Sequence, residues 1–225
     1  MTTMAFTPTR WSQALALGGA DDGAARAALA WLARRYTAPL TAWAQRQGLR
    51  AEAAEDAVQD FLTRIIERRD LHPDPERGRF RAYLLGAFRH HLAHAREAAA
   101  ATKRGGGAVQ HLGDHDPAAP DAFDRAWALE TIAHALAALR DEQTTERQRA
   151  LCAALEPHLT RNADAERYAA LGARLGLSEG AVKVALFRLR DRLRALIRAE
   201  VAETLAEPTP AAVDAEVAAL LAALA

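Results

Sequence analysis

Four stretches of this sequence repeat apolar residues at the spacing of one helix face, which leaves little room for any fold but a helical one. Val58, Phe61, Leu62, Ile65 and Ile66 fall at i, i+3, i+4, i+7 and i+8. Phe80, Leu84, Ala87, Phe88 and Leu92 form a second stripe, and Leu129, Ile132, Leu136 and Leu139 a third. Val182, Ala185, Leu186, Leu189 and Leu193 form the fourth. Strand signals are nearly absent, while the strong helix formers Ala, Leu, Arg and Glu dominate. The expected class is all-α. A length of 225 residues suits one or two domains, and a 50% hydrophobic content excludes wholesale disorder. No apolar run approaches the roughly 18 to 20 residues of a membrane span. The segment Met1–Arg10 lacks the charged and apolar blocks of a signal peptide, so a cytoplasmic location without membrane contact is expected.

Punctuation divides the helices. Leu71 to Gly78 holds two prolines and a glycine and reads as a turn. Gly105-Gly106-Gly107, followed by the Gly, Asp and Pro residues from Gly113 to Asp121, reads as an exposed flexible linker. The expected organisation is a helical domain over 1–104, an acidic linker over 105–122, a second helical domain over 123–200 and an acidic tail over 201–225. In that tail Glu207-Pro208-Thr209-Pro210 sets apart a short helix built on Val213, Val217, Leu220, Leu221 and Leu224.

The charge balance of 29 Lys+Arg against 29 Asp+Glu hides a segregation. Residues 57–104 carry 10 basic and 6 acidic side chains, and 147–200 carry 11 and 6. Between them, 105–146 carry 2 and 8, while the tail 201–225 has 4 acids and no Lys or Arg. Two basic blocks separated by an acidic one point to a polyanionic partner. The acidic tail is expected to fold back on a basic block and restrain DNA binding by the free protein.

The most informative segment runs from Arg167 to Leu186. A helix with Tyr168, Leu171 and Leu175 on one face stops at Gly176, Leu177 is a buried turn residue, and Ser178 is a good N-cap. Glu179 suits the positive end of the next helix. This is the length and punctuation of a helix-turn-helix, whose second helix enters the major groove. Val182, Ala185, Leu186 and Leu189 share one face of that helix. Lys183, Phe187, Arg190 and Arg194 lie roughly opposite with Arg188 beside them, as phosphate and base-edge contacts require. The plainer alternative is an αα-hairpin with a solvated outer face.

From Arg79 to Arg104 there are six Lys/Arg and one acid, with three histidines and several aromatics interleaved. Aromatics beside cations suit single-stranded nucleic acid, because unpaired bases stack on rings while cations track phosphate. Helical spacing favours Phe80 and Phe88 as core.

The ordered set of motifs resembles the extracytoplasmic-function RNA polymerase sigma factors of the sigma-70 class. The matching pieces are Thr9-Arg10-Trp11-Ser12, Tyr36-Thr37-Ala38-Pro39-Leu40, Glu55-Asp56-Ala57-Val58-Gln59-Asp60-Phe61 and Asp74-Pro75-Glu76-Arg77-Gly78-Arg79-Phe80-Arg81. Lys103-Arg104-Gly105-Gly106-Gly107, Trp127-Ala128-Leu129 and Leu177-Ser178-Glu179-Gly180-Ala181-Val182-Lys183 complete them over nearly the whole chain. The resemblance implies a sigma region two in the first domain and a sigma region four in the second. The helix from Glu55 to Ile66, with Glu55, Asp56, Gln59, Asp60 and Arg64, would then bind the clamp helices of the polymerase beta-prime subunit. Arg79, Arg81, Tyr83, Arg89, His90, His91, His94, Arg96, Lys103 and Arg104 would recognise and melt the minus-ten element. Arg167, Ser178, Glu179, Lys183, Phe187, Arg188, Arg190 and Arg194 would read the minus-thirty-five element, with the beta flap as a further contact. The acidic linker would thread toward the polymerase active centre, and an anti-sigma factor is a further partner of such proteins. The run Arg89-His90-His91-Leu92-Ala93-His94 departs from the Asn or Asp that relatives commonly carry there.

Other chemistries find little support. His90 and His94 sit at i, i+4, one geometry for a zinc pair, but no third ligand is placed in sequence to complete it. Lys103-Arg104-Gly105-Gly106-Gly107 is not a phosphate-binding loop, since the lysine precedes the glycines. The single cysteine, Cys152, allows no intramolecular disulfide, and neither it nor any serine has a nucleophile's context. No catalysis, metal or cofactor is expected. Trp11, Trp31, Trp43 and Trp127 read as core or interface anchors. Two other functions fit the sequence: a stand-alone helix-turn-helix regulator that needs no polymerase, and an interaction module that never touches DNA.

Overall fold

The computed structural model describes residues 22–68, 79–102, 119–160, 165–205 and 207–225, and among these every regular element is a helix. In chain order they are α1 (Asp22–Arg46), α2 (Ala51–Arg68), α3 (Phe80–Thr102), α4 (Ala119–Asp141) and α5 (Glu146–Leu155). A 3-10 turn (Glu156–His158) follows, then α6 (Ala165–Leu175), α7 (Glu179–Ala202) and α8 (Pro210–Ala222). No helix among the described residues is long and apolar enough to cross a membrane. The described residues of Met1–Glu130 with Val201–Ala225 make one compact unit, and Thr131–Glu200 make the other.

In the first unit α1 and α2 form a hairpin. Gly48, at φ 88°, closes α1, and the turn is held by Gly48 N–H to the Gln45 carbonyl and Leu49 N–H to the Ala44 carbonyl. A left-handed residue just past a helix end is where glycine fits without a Cβ penalty. The helix passes through Pro39, which lacks the N–H that would continue the ladder, and the ring is buried. The core is aromatic. Tyr36 meets Phe80 with ring centroids 5.7 Å apart and stacks on Phe123 at 6.5 Å, while Phe88 packs against Phe61 at 5.2 Å and Trp43 at 5.8 Å. The first two apolar stripes supply Val58, Phe61, Leu62 and Ile65, then Phe80, Leu84, Phe88 and Leu92, all buried. Trp31, Trp43 and Trp127 are buried too, whereas Trp11 lies outside the described residues.

The second unit has an aliphatic core of Ala135, Leu139, Cys152, Leu155, Leu159, Leu171, Val182, Leu186 and Leu193. Each leucine taken fully from water stabilises the unit by about 1.5–3 kcal/mol before entropy is counted. Thr145 caps α5 in a reciprocal box with Gln148, satisfying two amides that a helix start otherwise leaves open.

The organisation differs from the sequence expectation in three places. Residues 119–122, assigned to the linker, are the first turn of α4. Pro120 is tolerated there because a first-turn N–H has no acceptor inside the helix. Phe123, Trp127 and Ala128 are buried on the side of the first unit, so the second unit begins at 131 instead of 123; it ends at 200, and 201–225 belongs to the first unit instead of standing apart as a tail. Leu129 is 54% exposed. The buried positions of α4 are Phe123, Trp127, Ala128, Thr131, Ala135 and Leu139, which places Leu129 about 100° round the helix from Ala128. The 71–78 turn and residues 105–118 of the linker lie outside the described residues.

Candidate nucleic-acid interface

The turn between α6 and α7 is built by backbone geometry. Gly176 adopts φ 63°, Leu177 N–H returns to the Gly172 carbonyl at 2.9 Å, and the Ser178 hydroxyl accepts from Ala181 N–H at 3.2 Å. Ser178 is thus the expected N-cap, while Leu177 is half-buried rather than buried. Sequence reasoning missed Gly172. A Cβ there would stand 2.6 Å from the Leu177 carbonyl oxygen, so only glycine lets the turn fold back on α6. Its signal was an isolated glycine inside a helical pattern, four residues before the glycine that ends it.

On α7, Val182, Leu186 and Leu193 face the core, and Ala185 and Leu189 are half-buried. The opposite face exposes Lys183, Phe187, Arg188 and Arg194, with Phe187 66% exposed and Val184 beside it 50% exposed. Lys183 pairs with Glu179 at 2.6 Å and lies 5.5 Å from the centre of the Tyr168 ring. Arg190 corrects the sequence assignment. Its guanidinium donates to the His158 carbonyl at 2.8 Å and the Leu159 carbonyl at 3.1 Å. It satisfies acceptors at the end of the 3-10 turn instead of facing outward. Arg192 is bound to Glu142, and that hydrogen bonding holds the Glu142 carboxyl below its ordinary range. Arg167 lies in α6, and nothing further of it is described. Burial pushes the Cys152 thiol up, which suits a packed rather than a reactive side chain.

The start of α3 is also corrected. Arg81 is buried, with its Nε 2.8 Å from Asp124 and its Nη1 on Glu216. The guanidinium carbon lies 4.5 Å from the centre of the Trp127 ring. Burial lowers its pKa, opposed by Asp124. Arg79 is exposed but its Nε sits 2.9 Å from Glu216. His91 is buried and lies 3.1 Å from Asp60, tying α3 to α2. Its imidazole is lowered by burial first, with Asp60 acting the other way. These three expected DNA contacts are built into the fold because each finds a carboxylate on a neighbouring element. Arg89, His90 and His94 are exposed, Tyr83 and Arg96 half-buried, and Lys103 and Arg104 outside the described residues. Among the described residues no three His, Cys, Asp or Glu side chains gather as a metal site.

On α2, Glu55, Asp56, Gln59 and Asp60 are exposed and Arg64 half-buried. Glu55 and Gln59 border an open groove of about 830 Å³ between α1 and α2, floored by Ala33, Thr37, Val58 and Leu62. The structure therefore places two of the candidate polymerase-contacting side chains, Glu55 and Gln59, at a largely apolar groove that Arg34 also lines. Comparison with family models, curated proteins and solved structures gives no match to this chain.

Proposed function

We propose that this chain is a non-catalytic transcription initiation factor of the sigma-70, extracytoplasmic-function type. It binds core RNA polymerase and directs it to specific promoters. The observation that carries the reading is α7, which presents Lys183, Val184, Phe187, Arg188 and Arg194 outward behind a glycine-closed turn. Cations framing an apolar centre match a major-groove reader, since phosphates take the cations and base edges take the rest. The ordered motifs over both units, and the apolar groove of α1 and α2 that Glu55 and Gln59 border, support polymerase as the second partner. In this reading α2 meets the beta-prime clamp helices, α3 meets the minus-ten element, and α6–α7 meet the minus-thirty-five element and the beta flap.

The test is run-off transcription with purified core polymerase and genomic promoter fragments. The chain is expected to bind core and stimulate initiation on a subset of promoters, and failure to do either on every fragment ends the proposal. The second unit has its own closed core, which favours one alternative, a regulator acting through the helix-turn-helix alone. That alternative requires specific duplex binding without polymerase and full function in a Glu55→Ala/Asp56→Ala variant.

A further inference from the structure

We propose that helix α8 is an internal strap over an anion site of the first unit, with the Glu216 carboxylate standing where a nucleic-acid phosphate binds once the strap is displaced. The proposal rests on the promoter-facing reading of α3 and adds its regulation.

The inward face of α8 is Val213, Glu216 and Leu220, all buried. A carboxylate between two aliphatic core positions is the informative exception, because an unpaired buried charge is strongly disfavoured. Glu216 is paired by both cations at the start of α3: its side chain is 4% exposed and touches Arg79 at 2.9 Å as well as Arg81. The site does not depend on the tail for its shape. Asp124 and the Trp127 ring hold the Arg81 guanidinium from the other side, and Arg79 stands half-exposed at the rim. Two guanidiniums converging on one oxyanion is the arrangement that takes phosphate as readily as carboxylate, because their planar donor forks fit both.

Besides Glu216, the ties of the tail include the buried Val213 and Leu220 side chains, Arg35 to Glu203 at 2.8 Å, and Arg125 to the Leu224 carbonyl at 3.2 Å. Leu221 is 59% exposed. Stability alone would be served as well by an apolar residue at 216, since a buried ion pair returns little net free energy after desolvation. What the carboxylate supplies is register on the basic helix and an anion that a polyanion can replace.

The experiment titrates the full-length chain with a fluorescein-labelled 20-nucleotide single-stranded DNA over a range of salt. Glu216→Gln is expected to bind at least five-fold tighter. Its log K against log salt should be steeper by about 1.4, the increment for two more phosphate contacts on a single strand. Glu207→Gln removes the same charge away from the arginines and should stay within two-fold of the parent. Hydrogen exchange on the parent chain asks the same question without a substitution, because coupling is reciprocal: saturating DNA should deprotect 210–222. DNA binding by the parent with 210–222 still protected overturns the strap and leaves the promoter-facing reading intact, as does Glu216→Gln matching Glu207→Gln in affinity and slope. No binding by any variant, even at low salt, overturns the strap and the reading beneath it together.

Discussion

Helices α3 and α7 carry the two basic blocks of the chain and use them in different ways. At the start of α3, Arg79 and Arg81 close on Glu216 and Arg81 also on Asp124, while farther along the helix His91 meets Asp60, so these side chains join helices of one unit to each other. On α7 two cations are tied down, half-buried Arg190 to backbone carbonyls and exposed Arg192 to Glu142, while Lys183, Arg188 and Arg194 stand on the exposed face. The difference lies in what packs alongside. The first turn of α3 is covered by α4 and α8, both of which bring carboxylates, whereas the outer face of α7 is exposed to solvent. Charge available to a ligand is the charge left after the fold has taken its share.

The contrast can be broken most forcefully at Arg81. Arg81→Ala takes its guanidinium from buried Glu216 and from half-exposed Asp124, and removing one partner of a buried pair such as Arg81 with Glu216 costs about 3–5 kcal/mol. Urea denaturation should show that loss, while Arg192→Ala, whose pair with Glu142 is at the surface, should barely move the midpoint. A similar destabilisation by both would erase the distinction between the two blocks.

Charge reversal on α7 tests the other side. Lys183→Glu/Arg188→Glu is expected to weaken duplex binding roughly a hundred-fold and to flatten the salt slope by about 2. Arg190→Ala should lower stability and leave that slope alone. If Arg190→Ala flattens the slope as much, its assignment to the carbonyls of His158 and Leu159 is wrong.

The turn that aims α7 is tested with glycines. Gly172→Ala drives a methyl against the Leu177 carbonyl and should cost about 1–3 kcal/mol. At Gly180 the same change meets open space and should stabilise α7 by roughly 0.5–1 kcal/mol through helix propensity. Thermal unfolding of the two variants in opposite directions is the expected result.

The smallest effect concerns pH. The His91 imidazole is lowered by burial below its ordinary value of 6.5, so the unfolded chain binds the proton more readily than the folded one. The contribution of neutral His91 is therefore complete above about 6.5 and is lost as pH falls below it. His91→Gln should remove that part of the acid sensitivity of unfolding, and an unchanged profile would show that Asp60 offsets the burial in full.

The apolar stripes of α2, α3 and α7 were legible because a helix buries one face and the residue period is local. The Ser178 cap and the Gly176 turn were legible for the same reason. Leu129 misled because α4 buries its large Trp127 together with Ala128, Thr131 and Ala135, and small residues on a buried face carry little hydrophobic signal. The expected linker runs past the true helix start because Pro120, a breaker in mid-helix, is harmless in a first turn. Gly172 left a faint mark, and Glu216 left none that pointed inward.

What the sequence determined by itself is the helical class, the faces of the main helices and the turn before α7, all set by contacts between residues a few positions apart. Only the tertiary structure decided that Arg81, His91 and Arg190 are engaged by acceptors of the fold, that Glu216 is buried, and that the tail belongs to the first unit. Those outcomes depend on which carboxylate or carbonyl a distant segment delivers to each cation. A pairing such as Arg81 with Glu216 has no periodicity for the sequence to reveal.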